Sequence, residues 1–260
     1  MRTVITTLAL GSLIACFSLV AFGQDVHHSK NESDHPHWSY SGAGGPDHWS
    51  ELEPAFAPCK MGEYESPIDI EGATKSDLAA LQFAYQPSPL TFVDNGHTLM
   101  VNYAAGSELT LRGKKYQLKQ FHFHHPSEEH ISGKPFEMVV HLVHADDQGH
   151  LAVVASLVKP GRENPLLATL WKNIPHEKEK PETRSEVTIQ ASDLLPDSRG
   201  YYEFQGSLTT PPCTEGVEWF VLKTPIEAST AQIDTFARIY PNNARPVQPL
   251  HGRKILESRD

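Results

Sequence analysis

The chain has 260 residues and carries 22 Lys and Arg against 32 Asp and Glu, which gives a formal net charge of −10 at pH 7. Because the basic residues are scattered and the balance is acidic, we expect no nucleic-acid partner. The length fits one large domain or two small ones, and no linker or internal repeat divides the chain after residue 37.

The N-terminal segment is mostly apolar, with Arg2 near its start and small residues at its end. This pattern predicts a secretory signal peptide over residues 1–23, cleaved near Gln24, and hence a periplasmic or secreted protein. The apolar run could also span a bilayer if it were retained. Cys16 follows Leu-Ile-Ala, which resembles a bacterial lipoprotein cleavage box, so anchoring there is an alternative. No second such run follows, and we expect no membrane span in the mature chain.

Residues 24–36 are polar and predict a flexible N-terminal tail, which leaves residues 37–260 as a single domain. Within that domain, short runs of β-branched and aromatic residues recur between turn residues. They predict strands at residues 90–93, 98–103, 109–112, 116–124, 136–144, 151–158, 186–189, 201–207 and 217–222.

Helical patterns are confined to two short segments, residues 165–174 and 229–240. In the second, Ser229 is a predicted cap and an apolar stripe follows at helical spacing. The stripe consists of Ile233, Phe236, Ala237 and Tyr240. The sequence therefore predicts a mainly β fold, a single domain built on a large, mostly antiparallel twisted β-sheet with a few short peripheral helices.

Three histidines lie on two of the predicted strands. His122 and His124 are two residues apart and therefore point to the same side of one strand. If the strand that carries His141 is a neighbour, three imidazoles converge. Such a set is typical of a catalytic zinc, whose fourth position takes water. The chain has 15 histidines, so the close pair by itself could also arise by chance.

Two cysteines, Cys59 and Cys213, remain once the predicted signal peptide is removed. In an exported chain an even pair predicts one disulfide, with two free buried thiols as the alternative.

Eight short motifs occur along the chain in one order. They are His37-Trp-Ser-Tyr40, Glu65-Ser-Pro-Ile-Asp-Ile70, Asn95-Gly-His97, Gln120-Phe-His-Phe-His124, Ser127-Glu-Glu-His130, His141-Leu-Val-His144, Gly206-Ser-Leu-Thr-Thr-Pro-Pro212 and Asn243-Ala-Arg-Pro246. Together they resemble the α-class carbonic anhydrases over about residues 37–255, and the secreted bacterial branch most of all.

The resemblance implies zinc-dependent, reversible hydration of CO₂ to bicarbonate and a proton. Zn²⁺ would be held by His122, His124 and His141. Thr209 would accept a hydrogen bond from the hydroxide at zinc and orient it, and Glu129 would accept the proton of Thr209. His97 would relay protons at the mouth of the cavity.

Further residues match positions around the family's metal. Those implied to hold CO₂ form an apolar wall with a polar neighbour: Val143, Val153, Leu208, Trp219 and, on the polar side, Thr210. Gln120 and Asn243 would hold two of the zinc histidines in orientation, and Tyr40 would join the ordered water chain. The sequence leaves a homodimer open.

The chain departs from the family pattern at several positions. Val139 stands two residues before His141, where the family commonly has a glutamate that accepts the other N–H of that ligand. Glu137 has the same strand parity as a substitute but lies about 7 Å further along; a backbone carbonyl or a water could serve instead. The remaining departures are Glu65 for a glutamine, Met100 for an amide residue, and His125 for a frequent tryptophan.

Two other functions compete with this interpretation. The first is a non-catalytic, carbonic-anhydrase-related binding module, which would lack a zinc histidine. The second is a cupin-type metalloenzyme, because His122, His124 and Glu128 match half of a cupin motif. The glycines of that motif are misplaced here, and it does not account for the Thr-Thr-Pro-Pro segment.

Overall fold

The computed structural model describes residues 37–259, so the predicted signal peptide and N-terminal tail lie outside the described range. Within that range sixteen strands form. They are β1 (Asp69–Ile70), β2 (Thr74–Ser76), β3 (Gln82–Ala84), β4 (Ser88–Asp94), β5 (Leu99–Asn102), β6 (Glu108–Leu111), β7 (Lys114–His124), β8 (His130–Ile131), β9 (Lys134–Pro135), β10 (Met138–Ala145), β11 (Leu151–Pro160), β12 (Glu182–Ile189), β13 (Tyr201–Ser207), β14 (Glu215–Leu222), β15 (Ile226–Ala228) and β16 (Leu256–Ser258).

The helices of the described residues are short. The α-helices are α1 (Trp49–Leu52), α2 (Pro58–Met61), α3 (Pro165–Trp171) and α4 (Thr230–Ile239), and single 3₁₀ turns occur at Gly42–Gly44, Pro46–His48, Pro54–Phe56 and Ala191–Leu194. No helix between residues 37 and 259 has the length and apolarity needed to cross a membrane.

One large sheet organises the domain. Its strands follow the order β12-β4-β5-β7-β10-β11-β14-β13-β16-β2, and β3, β6 and β15 pair beside this path. Most neighbours are antiparallel, but β11 and β14 run parallel near the centre. The mainly β prediction and its mostly antiparallel sheet are therefore confirmed.

Each of the nine predicted strands overlaps an observed strand, and the predictions at 98–103, 109–112 and 136–144 run one or two residues beyond it. Seven strands that the sequence did not predict are β1, β2, β3, β8, β9, β15 and β16, each only two or three residues long. Such short pairings are too brief to show an alternating pattern. Strand β12 begins at Glu182, four residues before the predicted start at 186. The prediction missed these first residues because they are polar and largely exposed. Both predicted helices form, the first ending at Trp171.

Strand alternation separates the two faces of the sheet. On β10, Val140 and Leu142 enter the larger apolar core. Val139 and Val143 enter a smaller apolar cluster on the opposite face, and His141 shares their parity. Ile233 and Phe236 of α4, followed by Tyr240, pack into the larger core as the predicted stripe implied, and Ser229 caps the helix. One face of the sheet is thus devoted to packing and the other carries the histidines.

A disulfide joins two segments in a third, small buried cluster. Cys59 on α2 bonds to Cys213, just after the Thr-Thr-Pro-Pro segment, as predicted. The pair is buried against Trp49, and Trp38 and Tyr40 pack beside it. The N-terminal aromatic residues are thereby tied to the segment that carries Thr209.

Candidate metal centre

The three predicted histidines meet on one face of the sheet. His122 and His124 lie on β7, and His141 on the neighbouring β10 stands directly opposite His122 in the register. One ring nitrogen from each lies within 4.8 Å of the others. Strand periodicity and a single antiparallel pairing are enough to produce this convergence.

Hydrogen bonds on the far side of each ring select the converging nitrogens. His122 Nδ1 donates to Gln120 Oε1 at 2.8 Å, and His124 Nδ1 donates to the backbone carbonyl of Asn243 at 2.7 Å. His141 Nε2 donates to Glu129 Oε1 at 2.9 Å. Because each of these acceptors requires an N–H, the opposite nitrogens are free to bind a metal.

One of those nitrogens is an orphan. Nε2 of His124 is buried and has no hydrogen-bond partner, which is rare for an interior polar atom. Burial and the neighbouring charge of His141 lower the pKa of His122 to about 3. Burial, His141 and His122 likewise hold the pKa of His124 well below its usual value. Both rings are therefore neutral at pH 7, the form that coordinates metals.

The two adjacent glutamates at the centre contact different residues. Glu129 was expected to accept the proton of Thr209, and the structure corrects this. The side chain of Thr209 contacts Glu128 rather than Glu129. Glu128 Oε1 also accepts the backbone N–H of Arg245 at 2.8 Å, while Glu129 turns to His141. Burial raises the pKa of Glu128 to about 7, against the lowering effect of His141. Both carboxylates followed Ser127 in the motif, so the sequence could not separate them.

The predicted apolar wall is present beside the histidines. Val143 faces Val153 across β10 and β11, and Val153 faces Trp219 across β11 and β14. Leu208 packs on the same cluster. The Trp219 ring lies 4.9 Å from the His141 ring, centroid to centroid. Thr210, partly exposed, follows Thr209 in the bend after β13. An apolar surface therefore adjoins the candidate metal position.

His97 lies in the turn between β4 and β5. Asn95 Oδ1 accepts the backbone N–H groups of His97 and Thr98, and Gly96 has φ +83°, which the turn requires of a glycine. The imidazole stacks on Trp38, with centroids 3.6 Å apart. Tyr40 is further away, 6.5 Å between centroids.

Asn243 was expected to hold a zinc histidine, but the atoms it uses and several other contacts around the site were not predicted. Asn243 reaches His124 through its backbone carbonyl, while its side-chain amide donates to the carbonyls of His97 and Phe123. Arg245 is buried and pairs with Glu65. Glu137, one of the substitutes considered for a carboxylate at Val139, is exposed in a bend. The alternation of polar and apolar residues gave no signal for these contacts, because they join segments far apart in the chain.

Comparison with known proteins shows the family to which the chain belongs. Residues 44–259 match the family model described as eukaryotic-type carbonic anhydrase. The chain belongs to the α-carbonic anhydrase family. A carbonic anhydrase of Pectobacterium atrosepticum is 43% identical over 246 residues, which cover 94% of this chain and 96% of the relative. Family membership leaves the cupin alternative without support.

Solved structures of other α-carbonic anhydrases have the same fold. The enzyme from Thermovibrio ammonificans, in complex with the inhibitor sulfanilamide, is 42% identical with a TM-score of 0.82, covering 85% of this chain and 98% of that one. The α-carbonic anhydrase of Photobacterium profundum is 45% identical with a TM-score of 0.80, covering 85% of this chain and all of that one (100%).

Proposed function

We propose that this α-carbonic anhydrase reversibly hydrates CO₂ to bicarbonate and a proton with a zinc ion held by His122, His124 and His141. The observation that carries the proposal is the convergence of their three unbonded ring nitrogens beside an apolar wall. Zinc in such a three-histidine site supplies a nucleophile at neutral pH by lowering the pKa of water to about 7, as in carbonic anhydrases generally.

The protein's own residues give the reaction its geometry. Val143, Val153, Leu208 and Trp219 offer CO₂, an apolar molecule, a surface next to the nucleophile. Thr209 is buried beside Glu128, and we infer that this carboxylate accepts the hydroxyl proton of Thr209. The hydroxyl oxygen is then left to accept a hydrogen bond from the nucleophile, and Thr210 lies on the polar side. Thr209 thus orients the nucleophile, and the apolar wall binds CO₂.

The proton released by the reaction must reach solvent. The proposed relay is His97, which is half-buried and has its ring centroid 4.9 Å from that of His37. Tyr40 would contribute to an ordered water path. A binding module without catalysis would lack a ligand, whereas all three histidines converge here. We also propose export through the predicted signal peptide to the periplasm or medium; the Cys59–Cys213 disulfide supports an oxidising location.

The test is CO₂ hydration measured by stopped flow with a pH indicator, alongside zinc content. His141→Ala should lose most of the zinc and nearly all activity. His150→Ala, which removes an exposed imidazole outside the site, should change neither. Full activity in a demonstrably zinc-free preparation would refute the proposal.

A further inference from the structure

The carboxylate that holds His141 comes from a loop rather than from the strand that carries the ligand. Glu129 lies between β7 and β8, and its Oε1 accepts the His141 Nε2 proton at 2.9 Å. Both side chains are almost fully buried, at 0% and 1% exposure of the side chain. This bond fixes the ring so that Nδ1 faces the other two histidines.

Strand β10 itself offers His141 no polar partner on this face. Val139, two residues before His141, has the same parity but belongs to the apolar cluster, packed with residues such as Ile68 and Leu157. Glu137 lies before the strand begins and is exposed. The orientation of His141 therefore depends on a side chain that approaches from another segment.

The loop is built to hold Glu129 in place. Ser127 Oγ donates to the Glu129 carbonyl at 2.7 Å and accepts the Phe136 backbone N–H at 2.8 Å. The backbone N–H of Ser127 donates in turn to the Phe136 carbonyl at 3.0 Å. These hydrogen bonds join the segment before β10 to the loop after β7, and they hold the backbone of Glu129 in place.

The burial of Glu129 also requires a positive neighbour. Its Oε2 is buried without a hydrogen-bond partner, and an uncompensated buried carboxylate is costly. Its ion pair in the described part of the chain is with His141. A divalent cation on the other nitrogen of His141 would supply the missing charge through the ring.

We propose that Glu129 is the positioning residue for the metal ligand His141 and that its carboxylate controls how slowly the protein loses its metal. The inference rests on the proposed function. Val139 is apolar and cannot accept the His141 N–H, and Glu129 from the loop after β7 accepts it instead. Groups that orient metal ligands commonly change metal affinity by about 10–100-fold. The same loop directs Glu128 toward Thr209, so it serves both the ligand and the hydroxyl that orients the nucleophile.

The experiment measures zinc loss to an excess of a chelator such as dipicolinate from the zinc-loaded, folded protein. Glu129→Ala should speed loss by about 10–100-fold, and Glu129→Gln, which keeps the volume and a neutral acceptor, by less. Glu137→Gln, which removes the same charge from an exposed position nearby, should leave the rate unchanged. Thermal unfolding of each zinc-loaded variant reports whether it is folded.

A relocation variant separates orientation from general damage. In the double variant Glu129→Gln/Val139→Glu the new carboxylate lies on the same face of β10 as His141. It should recover much of the retention lost in Glu129→Gln, whereas a purely structural role of Glu129 predicts no recovery. If Glu129→Ala does not fold, the comparison of Glu129→Gln with this double variant still decides. Zinc loss at the wild-type rate in folded Glu129→Gln and Glu129→Ala would overturn the inference.

The inference and the proposed function fail differently. Wild-type protein that binds one zinc but does not hydrate CO₂ would refute the proposed function and leave the role of Glu129 to be judged by the release rates. Wild-type protein that hydrates CO₂ and releases zinc no more slowly than Glu129→Ala would refute only the role of Glu129.

Discussion

The indole of Trp38 lies flat against the imidazole of His97, with ring centroids 3.6 Å apart and planes 7° from parallel. His37 stacks on the same imidazole at 4.9 Å. Burial, together with the charges of His37 and Lys178, lowers the pKa of His97 to about 4, although Asp94 opposes the shift. In this position His97 is a weak base for a relay that must accept protons near neutral pH.

We expect removal of the stacking indole to improve the relay. Trp38→Ala should move the pKa of His97 toward 6.5 and raise kcat at saturating CO₂ in weak buffer, with kcat/KM nearly unchanged. His97→Ala should lower kcat in weak buffer and be rescued by added imidazole. The measurements are an NMR titration of the His97 ring proton and stopped-flow kinetics. Equal losses of kcat and kcat/KM in His97→Ala would mean that His97 shapes the pocket instead.

The same depressed pKa makes a prediction for stability. Between about pH 4 and 6.5 the unfolded chain binds a proton at His97 that the folded protein does not, so His97 lowers stability as pH falls through that window. His97→Gln should therefore lose less stability than the wild type between pH 6.5 and 4, measured by urea unfolding at each pH. Parallel curves for the two proteins would contradict the shifted pKa.

Thr209 and Glu128 should behave as one unit. If the carboxylate acts only by directing the Thr209 hydroxyl, then Thr209→Val, Glu128→Gln and the double variant should lose similar amounts of kcat/KM. We expect about 100-fold for Thr209→Val, the order seen when one oriented hydrogen bond to a reacting group is removed. Losses that multiply in the double variant would show that the two residues act separately.

The buried pair of Arg245 and Glu65 should be important for stability. Arg245 Nη1 lies 2.6 Å from Glu65 Oε2, and Nη2 donates to the Cys59 carbonyl. Arg245→Met leaves a buried carboxylate unpaired and should cost about 3–5 kcal/mol in urea unfolding. Adding Glu65→Gln should recover part of that loss.

A matched control is the exposed pair of Arg162 and Glu227, which is open to solvent. Arg162→Met should cost under about 1 kcal/mol, since exposed ion pairs contribute little. An equal cost at both pairs would contradict the argument from burial.

The disulfide should contribute strongly to stability. Cys59 and Cys213 are 154 residues apart, and closing so long a loop constrains the unfolded chain by about 5 kcal/mol in the chain-entropy description. Reduction, or Cys59→Ser/Cys213→Ser, should lower the free energy of unfolding by several kcal/mol. Intact mass after thiol blocking of the folded protein should show no alkylation at these two residues; two alkylated cysteines in oxidised, folded protein would contradict the bond.

Much of the site was predictable from local sequence. The two-residue spacing of His122 and His124 fixes a common side on any strand, and the alternation around His141 fixes its face. The apolar wall followed from the family motifs, and its members do lie on the face with the histidines. These features depend on periodicity or on a motif as a whole, so they do not require knowledge of the path of the chain between strands.

Other features depended on the three-dimensional path of loops. Glu128 and Glu129 are consecutive and of the same residue type, and only the turn after β7 decides that one meets Thr209 and the other His141. The substitutes considered for a carboxylate at Val139 (Glu137, a backbone carbonyl or a water) did not include Glu129 for the same reason, since strand parity says nothing about a group arriving from another segment.

The sequence by itself determined the mainly β fold, the side of each strand on which the three histidines lie, and the pair of cysteines available for a disulfide. Those properties follow from the two-residue repeat of a strand and from composition. The tertiary structure alone decided that Trp38 covers His97, that Asn243 uses its backbone carbonyl and meets His124, and that Glu129 holds His141. Each of these contacts joins segments whose approach is set by strand register and loop packing, which no local pattern encodes.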